Sequence, residues 1–239
     1  MSLLCLDSGN TRLKWGLRED GRWLEQGALP LAQIDRLAVT PHRIVACNVA
    51  GERGQAAIEA LARRLGVAVG WVRASAGQCG VRNGYDHPQQ LGADRWAALI
   101  GAHRLHEGAC LVVCSGTATT IDVLAADGCF RGGLILPGLE LMRDALAAGT
   151  ADLPAAAGEF HDLPTNTFDA IASGCVNATA GAIERVFRSL AGDPQALCLL
   201  SGGAAQQLLP QLGIPCRVVD NLVLHGIATI AESDQPAGQ

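Results

Sequence analysis

Near the start of the chain an acid, a glycine and a hydroxyl fall within five residues, Asp7-Ser8-Gly9-Asn10-Thr11, and Lys14 follows. Gly9 permits close approach of the backbone, successive N–H groups and the Thr11 hydroxyl can donate to phosphate oxygens, and Asp7 can hold Mg²⁺ through water. The same composition also makes an ordinary turn, so this stretch by itself leaves both readings open. A Walker loop is excluded, because no glycine-rich run ends in Gly-Lys-Ser/Thr. A second stretch repeats the theme: the apolar run from Leu111 to Cys114 meets Ser115-Gly116-Thr117-Ala118-Thr119-Thr120-Ile121-Asp122. A third, Gly92-Ala93-Asp94-Arg95, places an acid where it can be either a helix N-cap or a base for a hydroxyl nucleophile.

Strands and helices must position these residues. Leu3 to Leu6 is a short apolar run, and Leu13, Trp15 and Leu17 alternate with polar residues, so a β-hairpin carries the first motif. Laying Asp7-Ser8-Gly9 on Cys114-Ser115-Gly116 brings a second strand–turn–strand unit into register, and the chain reads as two related halves. Ile44 to Val49 predicts a buried strand, Gln55 to Leu65 an amphipathic helix stopped by Gly66, and Val67 to Val72 another strand. This alternation points to α/β layers. Val81 to Leu91 has no periodicity and is expected to be a loop over a site; Trp96, Leu99, Ile100 and His103 then follow at helical spacing. His103 and His106 are expected at the surface. Further on, Cys129 to Gly138 predicts a glycine-interrupted strand, Ala147 to Pro164 a connecting loop, and Phe168 to about Leu190 a long helix capped by Thr167. Leu197 to Leu200 running into Ser201-Gly202-Gly203, then Cys216 to Val219 and Leu222 to Ala231, complete the pattern. Residues 233–239 are expected to fray.

Composition limits the function classes. With 49% hydrophobic and 17% charged residues the chain is globular, and a net charge of −5 with 18 scattered basic residues argues against a nucleic-acid or membrane partner. The start of the chain is too short and too soon charged for a secretory signal, and no apolar run spans a bilayer, so a cytoplasmic location is expected. Nine cysteines, odd in number and irregular in spacing, are expected to be reduced and packed as small hydrophobes.

Over nearly its whole length the chain resembles the type III pantothenate kinases, members of the superfamily that includes actin, hexokinase and the heat-shock chaperone ATPases. The likeness rests on Asp7-x-Gly9-Asn10-Thr11-x-x-Lys14, Gly92-x-Asp94-Arg95, Gly116-Thr117-Ala118-x-Thr120-x-Asp122, Gly132-Gly133-x-Ile135-x-Pro137-Gly138, Asn166-Thr167 with Ser173-Gly174, and Gly202-Gly203, in that order. The resemblance implies two related actin-like (ribonuclease H-like) α/β domains, residues 1–107 and 108–232, with a nucleotide cleft between them. It implies transfer of the ATP γ-phosphoryl group to the 4′-hydroxyl of pantothenate, with Asp94 as general base. Gly92, Ala93, Arg95, Tyr85 and Thr167 would bind pantothenate. Asp7, Ser8, Gly9, Asn10, Thr11, Lys14, Gly116, Thr117, Gly202 and Gly203 would bind ATP, with Mg²⁺ near Asp7. A homodimer is implied as well. The pattern breaks at two points. Cys114 stands where the family usually has an acid linked to a monovalent cation, potassium or ammonium. Ala204 stands where Gly-Gly-Asp is common. Those departures motivate a second hypothesis, a nucleotide-binding regulatory protein on the same fold with reduced or no kinase activity, and a kinase for another small alcohol is a third.

Overall fold

The computed structural model describes residues 1–154 and 158–234. The chain forms two compact units. Unit 1 comprises Met1–Glu107, Gly128–Arg131 and the chain from Asn221 on; unit 2 comprises Gly108–Asp127 and Gly132–Asp220.

Unit 1 is built on β1 (Ser2–Ser8), whose alternate side chains are sealed on both faces by neighbours. It pairs antiparallel with β2 (Leu13–Glu19), which pairs with β3 (Arg22–Leu29), and parallel with β4 (Arg43–Asn48). Helix α1 (Gly51–Leu65) then leads to β5 (Val69–Trp71), the strand beside β4. Leu4, Leu6, Leu13, Ile44 and Ala46 bury against Ile58, Leu61 and Ala62 of α1, one core for one apolar helix stripe. Gly66, at φ 68°, closes α1 as expected. The sequence reading missed β3 because its side chains are mostly exposed and carry no alternation. Its signal is Asp20-Gly21, both at positive φ (47° and 77°), the pair that favours a two-residue hairpin turn.

The segment expected as a loop from Val81 to Leu91 is partly ordered. β6 (Gly77–Gln78) pairs with β7 (Val81–Asn83), which also pairs with Cys129–Phe130, and Pro88–Gln90 makes a 3₁₀ turn. Helix α2 (Ala93–Leu105) follows, buried on every side from Arg95 to Ala102. His103 and His106 are half-buried, not fully at the surface; the His103 ring packs where Cβ atoms on Gly80 and Gly128 would stand.

In unit 2, β8 (Cys110–Ser115) pairs antiparallel with β9 (Ala118–Leu124), and β10 (Cys129–Pro137), which belongs to unit 2 from Gly132 on, lies next to β9. Helix α3 (Leu139–Gly149) extends into the stretch expected as a loop. Helix α4 (Thr167–Phe187) is capped by Asn166, not Thr167: the Asn166 side chain accepts from the Asp169 N–H at 3.0 Å, and Thr167 is the first helical residue. β11 (Leu197–Ser201) pairs parallel with β8, the short α5 (Ala205–Leu208) follows, and β12 (Cys216–Val218) pairs with β11. Leu111, Val113, Ile121, Val176, Ile183 and Leu200 form the core between this sheet and α4.

The last helix, α6 (Leu222–Ser233), packs with unit 1 although the sequence reading grouped it with residues 108–232. The reason is backbone contact with α2: a Cβ on Gly101 would lie 2.7 Å from the Leu222 carbonyl oxygen, and one on Gly226 would overlap the Ala97 carbonyl. Only two glycines at the crossing let these helices meet this closely. Arg43 Nη1 adds a 2.6 Å bond to the Ala231 carbonyl. Ser233 ends α6, and most of the tail expected to fray, residues 235–239, lies outside the described residues.

Candidate functional site

Side-chain alternation along β1 sends Asp7 and Ser8 to opposite faces. Asp7 is in register with Lys14 on β2, and their opposite charges attract across the pair. Burial pushes the Asp7 carboxyl up to about 6; Lys14 opposes this and the nearby Asp94 adds to it. Two carboxylates and one ammonium are thus gathered at the end of β1. The Asp7 acid lacks full compensation for its charge, and its hard oxygen donors fit Mg²⁺, which takes one or two carboxylates and keeps its waters. Beyond Ser8 the tip closes with Gly9 N–H donating to the Arg12 carbonyl at 3.2 Å, leaving Asn10 and Thr11 exposed. Ser8, expected among the ATP-binding residues, is fully buried, backbone as well as side chain, and its carbonyl already accepts the Val49 N–H at 3.0 Å.

Asp94 is the second residue of α2, and Gly92 holds the cap position. The Asp94 carboxylate accepts the Arg95 N–H at 2.8 Å, and a Cβ on Gly92 would come within 2.6 Å of Asp94 Oδ1. Gly92 therefore keeps room for that acid. Arg95 is only 5% exposed, an unusual state for a guanidinium. Its Nη1 donates to the Tyr85 hydroxyl at 2.9 Å, and its charge lies 5.6 Å from the Tyr85 ring and 5.9 Å from Phe130. Tyr85 packs on Phe130 at 5.2 Å, and its N–H is held by Asn83 Oδ1 at 3.1 Å. Phe130 is the residue that sequence reasoning missed here. Its only signal is an aromatic two positions before Gly132-Gly133, and its burial comes from β10 pairing with β7.

In unit 2, Gly116 N–H donates to the Ala118 carbonyl at 2.9 Å, and the Gly138 N–H to the Thr117 carbonyl at 2.9 Å. Gly202, at φ 100°, packs directly on the Ser115 backbone, and the Ala204 N–H donates to the Ser115 carbonyl at 3.2 Å. Gly116, Thr117, Gly202 and Gly203 are thereby brought to one end of the unit 2 sheet. Thr167 is exposed at the head of α4, also in unit 2. Cys114 is half-buried, in register with Thr120 and Ser201. A thiol is a poor donor for a hard alkali cation, so its side chain does not fit a potassium site.

Two α/β units, each opening on an antiparallel hairpin that turns at a glycine, define an actin-like, ribonuclease H-like two-domain fold. A solved protein assigned to the Baf family of transcriptional activators, from Campylobacter jejuni, shares this fold at a TM-score of 0.66 and 20% identity, over 97% of this chain and 98% of that one. The activator of the 2-hydroxyisocaproyl-CoA dehydratase from Clostridium difficile does so at 0.51 and 13%, over the whole of both chains. Within that class the sequence is decisive. The family model described as type III pantothenate kinase matches residues 3–189, and the type III pantothenate kinase of Aromatoleum aromaticum is 57% identical over 98% of this chain and 100% of its own. The chain belongs to the type III pantothenate kinase family.

Proposed function

We propose that the protein transfers the γ-phosphoryl group of ATP to the 4′-hydroxyl of pantothenate, the first committed step towards coenzyme A. The observation that carries this reading is Asp94, held at the head of α2 by Gly92, next to an Arg95 locked beneath Tyr85. A new O–P bond forms at the pantothenate hydroxyl, the bond from the γ-phosphorus to the ADP oxygen breaks, and Asp94 takes the hydroxyl proton. Arg95 and Tyr85, with Gly92 and Ala93, hold pantothenate through its carboxylate and amide, and Thr167 adds a hydroxyl. The exposed tip from Gly9 to Thr11, Lys14, and the Gly116-Thr117 turn bind the ATP phosphates, while Gly202-Gly203 accommodate the adenine. Bound Mg²⁺ near Asp7 supplies charge neutralisation on the phosphate oxygens.

A homodimer is part of the same proposal. Leu134 and Ile135 of β10, Leu141 and Leu146 of α3, and Phe168 of α4 are exposed on unit 2, and Gly174 and Gly181 of α4 have open space where a side chain would be. Large exposed apolar side chains beside a small-residue helix face suit a second copy of the chain. No helix among the described residues is long and apolar enough to cross a membrane. A cytoplasmic location is the part of the proposal that goes with the use of ATP and pantothenate.

The test is ADP release from ATP with and without pantothenate, beside a panel of other small alcohols. Pantothenate-dependent release supports the reading. Release that ignores pantothenate, or none at all, rejects it in favour of another acceptor or of a regulatory role.

A further inference from the structure

We propose that Asn48 and Gly54, neither of which is among the residues assigned above to ATP or pantothenate, are positioning residues for the β1–β2 hairpin, and this rests on the kinase reading above. Ser8 is in register with Asn48 across the parallel β1–β4 pair, and the Val49 N–H donates to the Ser8 carbonyl at 3.0 Å. Asn48 then folds its side chain over the chain's next turn: Oδ1 accepts the Ala50 N–H at 3.1 Å, and Nδ2 donates to the Gly51 carbonyl at 2.9 Å. This local clasp starts α1, whose cap position, Ala50, has no capping side chain. The first turn of α1 is thereby laid on the end of β1.

Gly54 is where the two touch. It is buried, and a Cβ there would lie 2.8 Å from Ser8 Oγ and 2.9 Å from Ala50 Cβ, and would overlap Asn48 Oδ1. Ser8 Oγ is completely buried and has no hydrogen-bond partner among the described residues, so helix propensity and polar satisfaction are both given up at this contact. What the contact supplies is rigidity at one point. Ser8 sits between Asp7, on the opposite face of the strand, and Gly9, where the tip begins. Displacing Ser8 tilts the Asp7 carboxylate and the tip amides through their shared backbone.

Helix propensity alone says that Gly54→Ala should stabilise the protein and leave kinetics unchanged. The positioning role predicts the reverse: kcat/KM for ATP falls on the order of 10- to 100-fold, the scale of a displaced reactive group, while KM for pantothenate stays near its original value. Asn48→Ser in the Gly54→Ala background removes the closest of the three contacts, the overlap with Oδ1, and is expected to restore part of the loss, since Ser is shorter yet still accepts the N–H two residues on. Asn48→Ala alone introduces no clash, and it should lose ATP efficiency in the same one-sided way if Gly54→Ala does not fold. Wild-type kinetics with a raised melting midpoint, an equal rise in KM for both substrates, or no recovery with Asn48→Ser would overturn the proposal. Should the unmodified protein fail to phosphorylate pantothenate, the kinase reading falls separately. ADP affinity by calorimetry in the same variants then decides the positioning role, with unchanged affinity counting against it.

Discussion

The β1–β2 hairpin of unit 1 and the β8–β9 hairpin of unit 2 share a plan and differ in charge and in how their serines are held. Each pairs its first strand with a following parallel strand, β4 or β11, and each serine carbonyl accepts an N–H from the segment after that strand, Val49 for Ser8 and Ala204 for Ser115. Asp7 faces Lys14, whereas its counterpart Cys114 faces Thr120. Four residues, Gly9 to Arg12, separate β1 from β2, but only Gly116 and Thr117 separate β8 from β9. Ser115 Oγ bonds Thr119 Oγ1 at 2.8 Å, while Ser8 Oγ has no partner among the described residues. The two hairpins share their backbone plan and differ in charge at the facing strand ends: unit 1 carries an acid opposite a lysine, and unit 2 a thiol opposite a hydroxyl, its own buried acid, Asp122, lying further along β9.

The largest test of that division is Asp94→Asn. If unit 1 supplies the acid–base chemistry, kcat falls by roughly 10²–10⁴-fold with nucleotide affinity retained, the range for losing a general base. A variant that keeps most of its kcat would show that Asp94 only orders the start of α2. Next in size is the pH behaviour of Asp7. Its carboxyl is raised to about 6 in the folded protein, above its ordinary value of 3.8, so between these values the folded state binds more protons than the unfolded one. Without ligands, stability contributed by this group is present below about 4 and falls as pH rises through about 6. Asp7→Asn should therefore melt higher than the unmodified protein at pH 7 and close to it at pH 4. Mg²⁺ with ATP should narrow the gap at pH 7 by compensating the ionised acid. A gap independent of pH would mean that Asp7 is already neutralised in the free protein.

How far the sequence could show this depends on the type of contact. The β1–β2 hairpin was legible because Leu3 to Leu6 is a continuous apolar run that breaks at turn-forming residues, and the β8–β9 hairpin because it repeats that pattern. The Gly92-x-Asp94-Arg95 motif marked the head of α2, but nothing local revealed that Arg95 is buried under Tyr85 and Phe130, since these come together only when β7 pairs with the start of β10. The start of α1 was set four residues late because Gly51 and Gly54 are poor helix formers, and tertiary packing on Ser8 and Asn48 overrides their propensity. Helix α6 was grouped by chain order, whereas two glycine contacts bind it to α2.

A smaller effect separates the two serines directly. Ser115→Ala leaves the buried Thr119 hydroxyl without its 2.8 Å partner and should cost roughly 1–3 kcal/mol in chemical denaturation. Ser8→Ala removes a buried hydroxyl that has no partner among the described residues, so the same measurement should show no loss or a gain. Equal losses at the two positions would mean that Ser8 does have a partner, such as an ordered water, and the contrast between the hairpins would then lie in charge alone.

The smallest expected effect concerns Cys114, the position equivalent to Asp7 and so the point where the two hairpins part in charge. A neutral thiol beside Thr120 and Ser201 offers a soft donor where an alkali cation prefers oxygen. Backbone carbonyls at the strand end can still receive such an ion, but without a carboxylate they hold it weakly. The unmodified enzyme is therefore expected to show little change in rate across a potassium titration in a sodium background, with ammonium behaving like potassium. Cys114→Asp restores a hard, charged donor at the end of β8 and should introduce activation by potassium, provided the new acid ionises next to the neutral Thr120. Measuring both proteins on the same titration decides the point. Strong potassium activation of the unmodified protein, matching that of the variant, would show that an acid at this position is not what binds the ion, and that the charge difference between the hairpins has no counterpart in cation use.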